Sequence, residues 1–188
     1  TPSLFPMQHL TELAELAAKS ATELAPAVER AVTMVRDTLK RGGTLFFCGN
    51  GGSAADAQHM ATEYVVRYKK ERRAYPAIAL STDTSLLTAA GNDYGFDTIF
   101  ARQVEALCKK GDLLILHTTS GKSPNLLRAA EAARARGVAT LALSAKGGGP
   151  LATLVDHCIV VPTDRTDRAQ EIQLCIEHYI CECAEADD

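Results

Sequence analysis

At 188 residues, 46% of them hydrophobic, the chain has the size of one domain with one substantial core. A net charge of -3 with the two signs interspersed carries no nucleic-acid signature, and the one dense basic cluster, residues 69–73 (KKERR), reads as a solvated helix end or loop. The six cysteines form no CxxC pair and several fall at apolar positions, as reduced core residues of a cytosolic protein do. No apolar run approaches a membrane span, and the opening TPSLFPMQHL lacks the basic and apolar regions of a leader. The expectation is a cytoplasmic, unexported protein without membrane or nucleic-acid partners.

From residue 7 to about residue 40, Leu10, Leu13, Leu16 and Ala17, then Val28, Ala31, Val32, Val35 and Leu39 recur at helical spacing, with Pro26 interrupting. Two helices are predicted. Their apolar stripes suit another subunit as well as their own sheet, which implies an oligomer.

Residues 44–48 (TLFFC), bounded by Gly42-Gly43 and Gly49, read as a buried strand of a parallel sheet. Gly49, Gly51 and Gly52 then let the backbone turn tightly and approach a ligand. Ser53 is the predicted N-cap of the next helix, with Asp56 completing a capping-box-like pair. Strand, glycine turn and helix start together make an anion site. His59 and Glu63, four residues apart, share one face of that helix, so a base and a metal ligand overlook the anion site. Taken alone, such a pair is more often a solvated surface pair, and Gly49-x-Gly51-x-x-Ala54 also fits the dinucleotide fingerprint.

Residues 76–80 (PAIAL) are a second strand and 82–90 a short helix. In the following GNDYGF (91–96), Asn92-Asp93 reads as an Asx turn. A third strand, 112–117 (DLLILH), leads directly into TTSGKSPN (118–125), where Ser123 as N-cap and Pro124 as first helical residue open a helix that stops at Gly137. The hydroxyls of Thr118, Thr119, Ser120 and Ser123 around Gly121 are what a phosphate monoester needs at a helix start. The GKS triplet is not a P-loop, because Leu116 stands where its first glycine is required.

Strands at 138–143 and 157–161, separated by the turn GGGP (147–150), complete five. Their alternation with helices predicts a parallel α/β sheet with right-handed crossovers and ligands at the carboxyl ends of the strands. Residues 165–185 form a long helix whose apolar stripe is Ile172, Cys175, Ile176, Tyr179 and Ile180. Gln170 and His178 lie two turns apart on it, about 12 Å along the axis. For both to meet at one atom either stretches their reach or needs a neighbouring subunit. No repeat, low-complexity segment or linker divides the chain, so residues 1–188 are expected to be a single domain, with residues 1–41 as helices used in oligomerisation.

Taken in order, GNGGSAADAQHMATE, AIALSTDTSLLTAAGNDYGF, TTSGKSPN and RAQEIQLCIEH resemble the phosphoheptose isomerase family, within the sugar-isomerase (SIS) fold. The resemblance spans nearly the whole chain. It implies a cytoplasmic homotetramer that converts sedoheptulose 7-phosphate to D-glycero-D-manno-heptose 7-phosphate, the first step toward nucleotide-activated heptose. It further implies that Asn50, Gly51, Gly52 and Ser53 hold the sugar, that Thr118, Thr119, Ser120 and Ser123 hold the phosphate, and that Asn92, Asp93 and Gln170 line the site. Glu63 and His178 match the acid/base pair, and His59, Glu63, Gln170 and His178 match the positions that bind one zinc per subunit in several members. Two departures, Thr118 for a usual serine and Lys122 for a usual asparagine, remove no catalytic group, and His117 before the loop is also less typical.

Two rival readings differ in testable ways. A noncatalytic relative of the family associates with the replication initiator without keeping the acid/base residues, whereas both Glu63 and His178 are present here. A dinucleotide-dependent oxidoreductase would need an acid at the tip of the second strand, where Leu80-Ser81 stands and Asp83 comes late.

Overall fold

The strands send apolar side chains to both faces of the sheet, and helices must cover each face to keep them from water. The computed structural model describes residues 6–186, with side chains from residue 8 onward. The opening segment 1–5, part of the stretch expected to carry no leader, lies outside the described residues. Strands β1 (Leu45–Gly49), β2 (Ala77–Ala79), β3 (Leu113–His117), β4 (Ala139–Ser144) and β5 (His157–Val160) form one parallel sheet of 5 strands in the order β2-β1-β3-β4-β5. β1 and β3 lie next to each other inside it and are buried along their whole length. This is why they read as continuous apolar runs rather than alternating ones.

Leu45, Phe47, Leu113, Ile115, Leu141 and Leu143 enter one core. It is closed by α2 (Ala25–Lys40), α3 (Gly52–Val65) and α8 (Thr166–Glu185), with Leu13 and Leu16 of α1 (Pro6–Glu23) packed on its outside. The intervening residues Phe46, Cys48, Leu114, Leu116 and Ala142 enter the second core, under α4 (Thr84–Tyr94), α5 (Ile99–Leu107), α6 (Pro124–Ala135) and the short α7 (Leu151–Leu154). The result is a three-layer α/β architecture of the expected class, with all five expected strands in place. Because β1 is followed on one side by β2 and on the other by β3, the chain reverses direction across the sheet at the β1/β3 boundary. Crevices for ligands form outside the carboxyl ends of strands at such a switch point.

Local details depart from the expectation. The helix after β1 is capped by Gly51 (φ 57°), not by Ser53, which lies inside the first turn with its N–H on the Asn50 carbonyl at 3.0 Å. Only glycine takes that positive φ without strain, so the turn is made one position earlier than a hydroxyl cap would make it. Asp56 therefore caps nothing. Residues 91–94 are not a turn either: α4 continues through Tyr94 and ends at Gly95 (φ 94°), before a 3₁₀ turn at Phe96–Thr98 leads into α5. α5 and α7 were not anticipated; at 9 and 4 residues they are shorter than the window over which helical periodicity can be read. Cys48, Cys108 and Cys181 are buried thiols, as expected, while Cys175 is exposed. Among the described residues, no helix is long and apolar enough to cross a membrane.

The hydroxyl loop after β3 owes its shape to the turn before α7. A Cβ on Gly121 (φ 64°) would stand 1.8 Å from the Gly148 carbonyl oxygen, so the two loops touch through bare backbone. Gly121→Ala should therefore lower stability in urea unfolding by roughly 2 kcal/mol or more. Gly147→Ala, at φ 76° but with nothing within 4 Å, should cost only about 1 kcal/mol for its backbone strain.

Candidate active site

The loops after β1 and β3 face each other across the switch point and are tied together by one amide pair. Asn50 Nδ2 donates to Asn125 Oδ1 at 2.9 Å, and Asn125 Nδ2 returns the bond to Asn50 Oδ1 at 2.8 Å. Each amide keeps one free N–H, so Asn50 is fixed before a ligand arrives. Between the loops lies an open cleft of ≈ 570 Å³, lined by Asn50, Gly51, Ser123 and Asn125 together with Phe96 and Asp97. Asp97 is paired with Arg128 at 2.6 Å.

The hydroxyls of the β3 loop divide into two sets. Thr118 is 4% exposed; its Oγ1 accepts from the Gly121 N–H at 3.1 Å, and its carbonyl accepts from Gln173 Nε2 at 2.7 Å. Thr118 thus shapes the loop from within. Thr119, Ser120 and Ser123 remain partly exposed at the amino end of α6, where Ser123 is the N-cap and Pro124 the first helical residue as expected. The Ser123 hydroxyl makes no cap bond, which leaves it free for a ligand. Lys122 is exposed, its N–H on Ser120 Oγ at 3.2 Å.

Further along α3, His59 and Glu63 meet His178 of α8. His59 Nε2 lies 3.0 Å from Glu63 Oε1 and 3.4 Å from His178 Nε2, and the three ligand atoms all fall within 4.8 Å of one another. Two imidazole nitrogens and a carboxylate oxygen converging on one point form a donor set that fits a divalent metal. Gln170 lies beside the glycine turn, where a Cβ on Gly52 would meet its Nε2 at 2.6 Å. Within one chain the structure brings together His59, Glu63 and His178 of the expected ligands. Asn92 and Asp93, exposed on the last turn of α4 and bonded to each other at 2.8 Å, are not among the residues lining the cleft.

The SIS domain family model matches residues 8–145 of the chain. The phosphoheptose isomerase of Citrifermentans bemidjiense is 53% identical over 163 residues, covering 87% of this chain and 85% of that protein. That of Akkermansia muciniphila is 48% identical over 167 residues, covering 89% and 88%. The chain belongs to the phosphoheptose isomerase family. The solved structure of phosphoheptose isomerase GmhA from Neisseria gonorrhoeae superposes with a TM-score of 0.93 at 38% identity, over 99% of this chain and 100% of that one.

In this member of the family a buried pair supports both halves of the site. His117, the last residue of β3, is fully buried, its Nε2 hydrogen-bonded to Glu177 of α8 and its ring stacked on Phe47 at 6.0 Å. Burial by itself disfavours the imidazolium, but the Glu177 carboxylate, with Asp56 and the Cys48 backbone adding, outweighs it and raises the His117 pKa. Burial also pushes the Asp56 carboxyl up, against the pull of His117 and His59. Sequence reading missed Gln173, Glu177 and Asn125. Gln173 and Glu177 carried a signal, since they stand one turn apart between Ile172 and Ile180 on the apolar side of α8, where a polar side chain needs a buried partner.

A histidine whose pKa is raised by folding contributes stability fully below the unfolded value of about 6.5, and loses it as pH rises through the higher folded value. The melting temperature should therefore fall as pH is taken upward from the neutral region. Glu177→Gln, which removes the carboxylate that raises His117, should flatten that alkaline slope in a thermal melt series.

Proposed function

We propose that the protein is an aldose–ketose isomerase acting on a heptose phosphate, converting sedoheptulose 7-phosphate to D-glycero-D-manno-heptose 7-phosphate through an enediolate, at the start of nucleotide-activated heptose formation. The observation that carries this reading is the meeting of Glu63, His59 and His178 at one point on the α3/α8 seam, in a chain that also holds a hydroxyl-lined helix start.

The reaction needs a proton lifted from the carbon next to the carbonyl and returned to the neighbouring one, with a second proton moved between the two oxygens. Glu63 is the base: Oε1 faces His59, and Oε2 is left for the carbon-bound proton. His178 moves the proton between the oxygens. Thr119, Ser120 and Ser123 hold the phosphate at the amino end of α6, with Thr118 setting the loop's shape, while Asn50, Gly51, Gly52, Ser53, Asn92, Asp93 and Gln170 line the sugar. The phosphate is remote from the reacting carbons, so its binding serves orientation. His59, Glu63 and His178, joined by Gln170, would hold one zinc per subunit, which when bound would supply positive charge beside the enediolate oxygen.

Glu63 lies about 16 Å along α3 from Gly52, and the two ends of the site are correspondingly far apart in one chain. A cytoplasmic homotetramer, in which a neighbouring copy completes each site, is part of the proposal, with the single SIS domain using its first 41 residues for assembly. An apolar groove of ≈ 340 Å³ between the first two helices and α8, lined by Ala17, Leu24, Val28, Ile172, Ile176 and Tyr179, supports that use.

Metal-loaded wild type should produce the aldose from sedoheptulose 7-phosphate, followed directly by product analysis. Glu63→Gln and His178→Ala should each lower kcat by about 10³-fold. No product from wild type that nevertheless binds the sugar phosphate would favour the noncatalytic, initiator-associated reading instead.

A further inference from the structure

The segment between α3 and β2 has no regular structure, and one buried carboxylate holds it. Glu185, at the end of α8, accepts the Tyr68 N–H at 2.7 Å on Oε1 and the Lys69 and Lys70 N–H groups at 2.9 and 3.0 Å on Oε2. Arg72 Nη2 pairs with the same carboxylate at 3.1 Å, both side chains being 1% exposed. Arg72 also donates to the Glu63 and Tyr64 carbonyls at 2.8 and 2.9 Å and lies 4.1 Å over the Tyr75 ring. The basic cluster expected to be solvated therefore contains a buried member, and the loop is wound around Glu185.

That winding delivers one side chain to the acid/base cluster. The Tyr68 ring lies flat on His178, with centroids 5.1 Å apart and planes 5° from parallel. His178 and Glu185 are seven residues apart on α8, two turns along one face, so the carboxylate that holds the Tyr68 backbone and the imidazole that receives its ring are set by one helix. An imidazole in such a role ordinarily has its orientation fixed by a hydrogen bond from its other ring nitrogen. Among the described residues, the hydrogen bond described for His178 is the one between its Nε2 and His59. What fixes the plane of the ring is the crossed ring of His59, 5.0 Å away at 70°, and the face of Tyr68.

We propose that Tyr68 is the positioning residue for His178: its ring, held by Glu185, keeps Nε2 turned toward His59 and Glu63. The inference rests on the isomerase reading for its effect on rate, but its effect on the imidazole is independent of any reaction. A residue that merely fills space would be replaceable by any apolar side chain of similar volume. A positioning ring needs a flat face and no hydroxyl.

The test compares Tyr68→Phe, Tyr68→Leu and Tyr68→Ala with wild type. In the kinetic arm, Phe should stay within about 3-fold of wild type, while Leu and Ala should lose about 10-fold or more in kcat with KM changed by less than about 2-fold. In the second arm, Zn²⁺ titration should show Phe binding as wild type and Leu binding about 10-fold more weakly. The His178 ring resonances of ¹³C-histidine-labelled protein should keep the wild-type ring-current shift in Phe and lose it in Leu. Wild-type behaviour of Leu in kcat, zinc affinity and the His178 resonance would reduce Tyr68 to packing and overturn the proposal. A raised KM with unchanged kcat in Phe would overturn it by making the hydroxyl a sugar contact. If wild type turns over no heptose phosphate, the isomerase reading fails, and the resonance and zinc arms still decide the role of Tyr68.

Discussion

The pairing of His117 with Glu177 joins the carboxyl end of β3 to the middle of α8, and the placement of the site follows from it. The residue after His117 is Thr118, which begins the hydroxyl loop, and the residue after Glu177 is His178, which meets His59 and Glu63. One turn earlier on α8, Gln173 holds the Thr118 carbonyl at 2.7 Å. Sliding the helix by a turn, about 5.4 Å, would break both bonds and leave charged and polar groups unpaired in the core. Breaking such a buried pair costs about 3–5 kcal/mol. An exposed pair such as Lys69–Glu182, with both side chains about half exposed, is screened by solvent and sets no register. The buried pair is thus less a source of net stability than a specification of where α8 sits.

With α8 fixed, the chemistry separates into two regions. The groups proposed to hold the phosphate gather at the carboxyl ends of β1 and β3, where the reversal of strand order opens a crevice and Asn50 and Asn125 lock its rims together. The groups proposed to move protons lie down the α3/α8 seam, where helical spacing puts His59, Glu63 and His178 on facing surfaces. A substrate anchored by its phosphate in one region and presented to a base in the other uses remote binding to position the reacting carbons. The loop wound on Glu185 closes the second region from behind. It ties the backbone of Glu63, through Arg72, and the ring of His178, through Tyr68, to a single carboxylate.

How much of this was legible in the sequence follows from how local each signal is. The inner strands β1, β3 and β4 were readable because strands packed on both faces must be apolar throughout, and the Ser123-Pro124 helix start because cap chemistry is written in adjacent residues. His59 and Glu63 were readable from a spacing of four. Gly51 displaced Ser53 as the cap because the turn after β1 needs a positive φ, which outweighs a hydroxyl bond that sequence alone makes attractive. Arg72 looked solvated among its charged neighbours, since its partner Glu185 is brought to it only by the fold. The division of the hydroxyl loop into an inward Thr118 and outward Thr119, Ser120 and Ser123 likewise depends on Gln173, which no local pattern connects to it.

The central claim is that Glu63 moves a proton between neighbouring carbons. The most direct measurement runs the wild-type enzyme to equilibrium in D₂O, holds it there through many reversible turnovers, and reads the position of deuterium in the recovered sugar phosphates by NMR. A carboxylate base with access to solvent predicts deuterium accumulating at C2 of the aldose and C1 of the ketose, and none accumulating with Glu63→Gln. Continued interconversion with protium fully retained at both carbons would mean that hydrogen passes directly from carbon to carbon, and would contradict the account.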